Sequence, residues 1–330
     1  MDSGGYIQPR SLTLSELMDE WLDSKQGDPK KSTLASYRIV ADVRIIPNLG
    51  SIQIQKLTTV HLNRLYRTLL DEPRLGRQKP LSSNSVRNTH MVMRGALAYA
   101  VDNGYIATNV ALKTIRPWNA CEDAKDPKFW TAEELRSFLA GIEDHPFYLA
   151  YYVAGMTGVR RGELLALEWG DIDFINKRMS IRRALSCVGY KLEVTKPKTK
   201  KSTRAIDLDP KTIAMLQEHH RQQAEEWLAN GRTGARPSLL FTQNGSFIHP
   251  DRFSKVFRNL VVKSGLPLLR LHDVRHTHAS LLLLGGWHPK VVQERLGHSS
   301  ITVTMDLYSH LIPGMQETAA AGLSVMVFGE

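Results

Sequence analysis

The sequence predicts a mainly α protein with a small antiparallel β-sheet: an N-terminal four-helix domain followed by a larger α+β domain. Three observations carry this. Apolar residues recur at three- and four-residue steps over most of the chain, the helical period. A two-residue period takes over only between Arg178 and Asp209. Residues 109–128, which include ALKTIRPWNACEDAKDPK, mix Pro, Asn, Asp and Lys without apolar periodicity and read as an interdomain linker. With 330 residues and 42% hydrophobic content, the chain can bury two cores.

A short extension, residues 1–11, precedes the helical domain over 12–108. Thr13 and Glu16 stand in capping-box spacing, and Leu14, Leu17, Met18, Trp21 and Leu22 form the stripe of the first helix. Ser32 or Thr33 can cap a second, which the PNLG turn at Pro47 to Gly50 should end. Thr58 can cap a third, with Leu62, Leu65, Tyr66, Leu69 and Leu70 inward, and Ser83 or Asn84 opens a fourth that ends near Asn103-Gly104. Basic residues on these helices include Lys31, Arg38, Arg64, Arg87 and Arg94. Each alone suits a solvated face; together they suit a surface that tracks phosphates.

The second domain is expected over 129–312. Thr131 and Glu134 repeat the capping-box spacing ahead of Leu135, Phe138, Leu139 and Ile142. An apolar helix from Tyr148 then breaks at Thr157-Gly158, placing Arg160 near the start of the next helix, with Glu163 three residues on to orient or partly neutralise it. RMSIRRALS, KLEVTKPKT and STRAIDLD predict three antiparallel strands. Their last connection is a basic hairpin carrying Lys196, Lys198, Lys200 and Lys201, any of which can lie in a DNA groove or against a phosphate. Helices follow over Lys211 to Leu228 and from Pro250 to Lys263, with a short strand from Leu239 and a turn at Asn244-Gly245 between them. The run Leu281 to Leu284 predicts a buried helix stopped by Gly285-Gly286. Pro289 starts a short helix that Gly297 ends, and Ser299 or Ser300 can cap the helix that carries Tyr308. The tail, residues 313–330, is small and apolar.

Lys and Arg number 43 against 33 for Asp and Glu, a formal charge of +10, which points to a polyanionic partner. No apolar run approaches the roughly 20 residues that span a bilayer, and the N-terminus has no secretory core, so a soluble intracellular protein is expected. Cys121 and Cys187 show no CxxC spacing, which predicts neither a zinc site nor a disulfide framework.

The chemistry concentrates between His272 and Tyr308. His272 and Arg275, three apart, share a helix face; His298 follows Gly297; Tyr308 comes ten residues later. Arginine offers a planar fork to phosphate oxygens, imidazole moves a proton near neutral pH, and a phenolate can attack phosphorus. His276 and His278 beside His272, and the pair His219-His220, raise a metal site as a rival. No carboxylate or cysteine stands at ligand spacing, so no metal or other cofactor is expected.

T-G-V-R-R-G-E at Thr157 to Glu163, H-D-V-R at His272 to Arg275, L-G-H at Leu296 to His298 and the terminal Tyr308 together resemble the tyrosine recombinases of the phage integrase family. The four elements stand in that family's order and spacing, and the likeness extends over residues 12 to 312. It implies a core-site DNA-binding domain followed by the tyrosine-recombinase catalytic domain. The catalytic positions it implies are Arg160 rather than Arg161, Lys198 on the hairpin, His272, Arg275, His298 and the nucleophile Tyr308. Further DNA contacts are expected from Lys31, Arg38, Arg64, Arg87, Arg94, Lys196, Lys200 and Lys201. Only about a dozen residues precede the first helix, so the chain is expected either to work without arm sites or to be truncated.

The resemblance implies strand exchange without water or ATP. Tyr308 forms a 3′-phosphotyrosyl link, His272 takes its proton, the two arginines and His298 bind the phosphate, and Lys198 protonates the leaving 5′-oxygen. The implied partners are double-stranded attachment sites, three further copies of the chain in a tetramer on synapsed DNA, and an accessory directionality factor, with no membrane. The implied setting is the cytoplasm of a bacterial host, integrating or excising a phage or other mobile element. A type IB topoisomerase would use similar residues as a monomer, and a non-catalytic DNA-binding regulator is a third class.

Overall fold

A computed structural model describes residues 11–27, 31–73, 79–116, 128–189, 191–195, 203–231, 238–298, 300–302, 304–305 and 323–329. They fall into two compact units, Met1–Lys125 and Asp126–Glu330. Each buries its own apolar core.

In the first unit, α1 (Leu14–Ser24) is capped as the spacing predicts: the Glu16 amide donates to Thr13 Oγ1 at 3.3 Å and the Thr13 amide to the Glu16 carboxylate at 2.8 Å. The second helix does not stop at Pro47. α2 (Lys31–Val40) passes through a π-turn, Ala41–Ile45, into α3 (Ile46–Leu49). Proline lacks the N–H that an α-turn needs and crowds the carbonyl four residues back. The wider turn, in which the Ile46 amide reaches back to Ala41 O, takes the proline into the helix. α4 (Thr59–Asp71) buries Leu62, Leu65, Tyr66 and Leu69, with Leu70 only partly covered. α5 (Ser83–Asp102) is capped by Ser82, one residue earlier than expected, through the Ser85 amide at 3.3 Å. A Cβ at Gly95 would stand 2.9 Å from the Trp21 ring, so α5 meets α1 through a bare backbone.

The linker starts later than residue 109. Asn109 Nδ2 donates to Arg94 O at 3.0 Å, Ala111 is buried in the helical core, and the Ile115 amide donates to Asn63 Oδ1 at 3.0 Å. These two hydrogen bonds and the burial of Ala111, without any apolar period, fold 109–115 onto the first unit.

The second unit opens with the fully buried Trp130, and Thr131 caps α6 (Ala132–Ala140) through the Glu134 amide at 3.2 Å. α7 (Tyr148–Thr157) and α8 (Arg161–Leu164) follow. The expected strand RMSIRRALS is two strands in different sheets. β1 (Ile172–Asp173), β2 (Arg178–Ile181) and β5 (Arg204–Asp207) form one antiparallel sheet, in the order β1-β2-β5, while β3 (Ala184–Val188) and β4 (Lys191–Thr195) form a separate hairpin. The break falls at Arg182-Arg183, where Arg183 turns to Glu168 and to the buried Asp171, at 3.0 Å from the latter. Ionic partners in the core take these two residues out of the ladder.

α9 (Pro210–Ala229) follows, then β6 (Thr242–Gln243) and β7 (Ser246–Phe247), joined through Asn244 and Gly245, both at positive φ as a two-residue hairpin requires. α10 (Pro250–Ser264), α11 (Leu271–Leu284) and α12 (Pro289–Leu296) complete the unit. The run at the end of α11 is not buried throughout: Leu283 is, but Leu284 is 51% exposed, because the run is longer than the face that packs. No described helix is long and apolar enough to cross a membrane.

Candidate active site

Three chain turns build the site. The first is the end of α7, where Gly158 adopts φ +64°. A Cβ there would meet Leu296 at 2.5 Å and His278 at 2.8 Å, so glycine is required both by conformation and by the approach of α11 and α12. Two residues later Arg160 caps α8, its amide bonded to Glu163 Oε2 at 3.0 Å and its guanidinium to Oε1 at 2.9 Å. Arg161 turns away instead, to Pro250 O and Ser254 Oγ at 3.1 and 2.9 Å.

The second is the end of α12, closed by Gly297 at φ +67°. Its last carbonyls have no partner within the helix, and arginines take them. Arg275, 5% exposed in the middle of α11, donates to Leu296 O at 2.7 Å and to Gly158 O at 2.8 Å. Arg160 donates to Gly297 O at 2.9 Å. His298, next in the chain, contacts Thr304 Oγ1 through Nδ1 at 2.9 Å.

The third is the start of β5. Arg204, its side chain 7% exposed, forks onto Glu163 at 2.8 and 3.2 Å and donates from Nε to Arg295 O at 2.9 Å. Sequence reasoning missed it. The signal was legible: alternation in STRAIDLD puts Arg204 on the same face as Ile206, which is fully buried. Arg295 was missed as well, and the sequence offers His278 only as part of a rival metal site. Arg295 Nε donates to His278 Nε2 at 3.2 Å, and His278 Nδ1 meets Gly155 O at 2.9 Å.

The electrostatics follow from this crowding. Burial, then Arg160 and Arg204, push Arg275 down to about 9 against the help of Glu163. Burial and the neighbouring Arg275 and Arg160 push His298 down to about 4. His272 is lowered by partial desolvation, then by His276, whose ring stands edge-on at 5.2 Å, and by Arg275. Burial alone would raise Glu163, but the hydrogen bonds and charges of Arg204 and Arg160 hold it below the usual carboxylate range. Two guanidiniums thus hold one carboxylate, with the charge of Arg275 nearby, an excess of positive charge that favours entry of an anion.

The structure therefore gathers Arg160, Arg275 and His298, with His272 adjoining through Arg275 and His276. Tyr308 and Lys196, Lys198, Lys200 and Lys201 lie outside the described residues. In the first unit Lys31, Arg64, Arg87 and Arg94 are exposed, whereas Arg38 is half-buried and bonded to Asp19, with Asp23 at 3.9 Å. His219 and His220 pack beside Trp169, and His219 donates to Leu240 O at 3.0 Å.

Known proteins supply the remaining comparison. The model of the Phage integrase family matches residues 128–314, and that of the phage integrase N-terminal SAM-like domain matches residues 13–70. A XerC-like tyrosine recombinase of Caldanaerobacter subterraneus is 29% identical over 98% of this chain and 85% of its own length. The ICEBs1 integrase of Bacillus subtilis is 29% identical over 94% of this chain and 82% of its own. Among solved structures, the Tn1549 transposon integrase in complex with a circular intermediate DNA has a TM-score of 0.77 at 22% identity, covering 96% of this chain and 100% of that one. A lambda integrase tetramer bound to a Holliday junction has a TM-score of 0.69 at 20% identity, covering 91% and 78%.

Proposed function

The chain belongs to the phage integrase family, and from that premise we propose how this site-specific DNA recombinase cleaves and rejoins strands. The observation that carries the reading is the pairing of Arg160 and Arg275 on the end of α12. Each commits two N–H donors to described protein groups. A guanidinium has about five, so both retain donors for the non-bridging oxygens of one phosphate, already oriented by backbone carbonyls.

Tyr308 attacks that phosphorus: its Oη–P bond forms as the P–O5′ bond breaks. His272, with its proton affinity lowered, is neutral at physiological pH and takes the phenol proton. Lys198 gives a proton to the leaving 5′-oxygen, and the 5′-hydroxyl of another strand reverses the step. Neutral His298 donates from Nε2 when the Thr304 hydroxyl donates to Nδ1, which fixes that tautomer. Exposed Lys31, Arg64, Arg87 and Arg94 serve as phosphate contacts of the helical unit, while Arg38 is poorly suited, being held by Asp19.

The assembly proposed is a homotetramer on two synapsed attachment sites in the cytoplasm of a bacterial host, with an accessory factor setting direction. Residues 323–328 form a helical turn whose apolar side chains stay uncovered, Met326 at 87% and Phe328 at 76%. That supports docking of the tail on a neighbouring copy; undiminished recombination after deletion of residues 315 to 330 would remove this part. The relatives are integrases and recombinases, which favours strand exchange over supercoil relaxation.

The test uses a duplex of the attachment site found beside the gene, nicked so that the short 5′-hydroxyl strand is lost after cleavage. The protein should form a covalent adduct in EDTA, and Tyr308→Phe should bind the duplex equally and form none. An adduct with Tyr308→Phe, or strict dependence on a divalent metal, would overturn the reading.

A further inference from the structure

We propose that Arg204 is a positioning residue of this active site, holding the Glu163–Arg160 pair and the Gly297–His298 turn in the geometry that receives the scissile phosphate. The inference rests on the recombinase reading above. Arg204 touches no reacting atom; it acts through its neighbours.

Four donors converge on the Glu163 carboxylate, two from Arg204 and two from Arg160. The two arginines differ in surroundings. The Arg204 side chain is 7% exposed and that of Arg160 40%. A guanidinium that is itself 40% exposed, tied to one i,i+3 partner, is only loosely fixed by that pair. The buried fork of Arg204 is what immobilises the carboxylate, and the carboxylate then immobilises Arg160.

Without that fork, a carboxylate only 8% exposed would be left with one cation. Glu163 would turn both oxygens onto the Arg160 guanidinium and draw in N–H groups meant for the phosphate. Arg204 also lines the second turn. A Cβ at Gly297 would stand 3.0 Å from Arg204 Cδ and Nη1, so the arginine packs flat against the backbone whose carbonyl receives Arg160 and whose next residue is His298. Its own placement is secure: Arg204 pairs with Ile181 in the β2–β5 ladder, and Nε holds Arg295 O at 2.9 Å.

Arg204→Lys retains charge and length but loses the fork. Adduct formation is measured in single turnover on the nicked attachment-site duplex at saturating protein, and affinity for the same duplex separately. The affinity should stay within about twofold while the rate falls by about 10²-fold, the scale of a misplaced catalytic group. In an Arg160→Lys background, adding Arg204→Lys should cost clearly less than it does alone, because only the Gly297–His298 turn is left for it to position. A wild-type rate for Arg204→Lys, full multiplication of the two defects, or equal loss of affinity and rate would overturn the proposal. If Arg204→Lys does not fold, Glu163→Gln decides. It keeps the shape and removes the charge that ties the arginines, and it should slow the rate comparably at unchanged affinity; a wild-type rate would overturn the proposal. Failure of the wild-type protein itself to form an adduct would count against the recombinase reading instead.

Discussion

Arg275 donates to the carbonyl of Leu296 at 2.7 Å, tying the middle of α11 to the last residue of α12. The same guanidinium takes Gly158 O, so one side chain closes the C-terminal ends of α7 and α12. An ammonium cannot span both carbonyls in one plane. Arg275→Lys should therefore slow adduct formation by about 10²–10³-fold. Its unfolding free energy should also drop by about 1–3 kcal/mol, from the carbonyl left unpaired. Denaturant melts and single-turnover rates together check this, and a loss of rate with unchanged stability would show the tie to be dispensable for folding.

Thr304 is fully buried, with its hydroxyl 2.9 Å from His298 Nδ1. Thr304→Val preserves shape and removes the donor that selects the Nε2–H tautomer. A lost hydrogen bond of about 1 kcal/mol corresponds to roughly a fivefold slower cleavage, with DNA affinity unchanged. Thr304→Ser should restore the rate. If valine and serine behave alike, the hydroxyl has no part in orienting His298.

Leaving-group chemistry separates Lys198 from its neighbours. General acid catalysis is worth about 10²–10⁴-fold, and a bridging 5′-sulfur leaves without needing a proton. Lys198→Ala should be crippled on normal DNA and restored on the sulfur-bridged duplex, whereas Arg275→Ala should stay impaired on both. Loss of Lys196, Lys200 or Lys201 should weaken binding without selective rescue. Rescue of Lys200→Ala or Lys201→Ala instead would move the acid along the connection between β4 and β5, which pair in different sheets and form no hairpin with each other.

His278 carries part of the pH dependence of folding, beside other depressed histidines such as His298. Its Nε2 accepts from Arg295 and its Nδ1–H donates to Gly155 O, so a proton on Nε2 would face another N–H. Burial, then the Arg295 charge, lowers it from 6.5 to about 4. The unfolded chain thus binds the proton more readily, and stability is lost as pH falls from about 6.5 toward 4, by about 3 kcal/mol when complete. Urea midpoints between pH 7 and pH 4.5 should decline, and His278→Gln should make that decline shallower, with His298 among the groups that supply the rest. An unchanged slope in the variant would assign the titration elsewhere.

Much of this was legible because local rules and tertiary packing agree. Thr13 and Thr131 announce their helices, Gly158 and Gly297 mark sharp ends, and Arg160, His272, Arg275 and His298 stand at motif spacing. What escaped reading depends on partners remote in sequence. Arg204 looks like an ordinary strand residue until Glu163, 41 positions away, meets it. Arg183 breaks a two-residue period because Asp171 lies beneath it. Asn109 is a loop residue by composition and an anchor by virtue of Arg94 O.

The π-turn at Ala41–Ile45 also bears on which insertions and deletions this chain can tolerate. A wide turn holds one residue more than an α-helix of the same rise, so the two halves of the helix keep the phase of a continuous one. Val40 before the turn, Ala41 and Ile45 at its two ends, and Leu49 beyond it all reach the core with that spacing. Deleting one residue from 41–45 would close the wide turn into an α-turn and leave the two halves in phase, but it would press Pro47 against the carbonyl four residues back. The extra residue before Pro47 is therefore needed by the proline, and the helix can lose it without strain only together with Pro47.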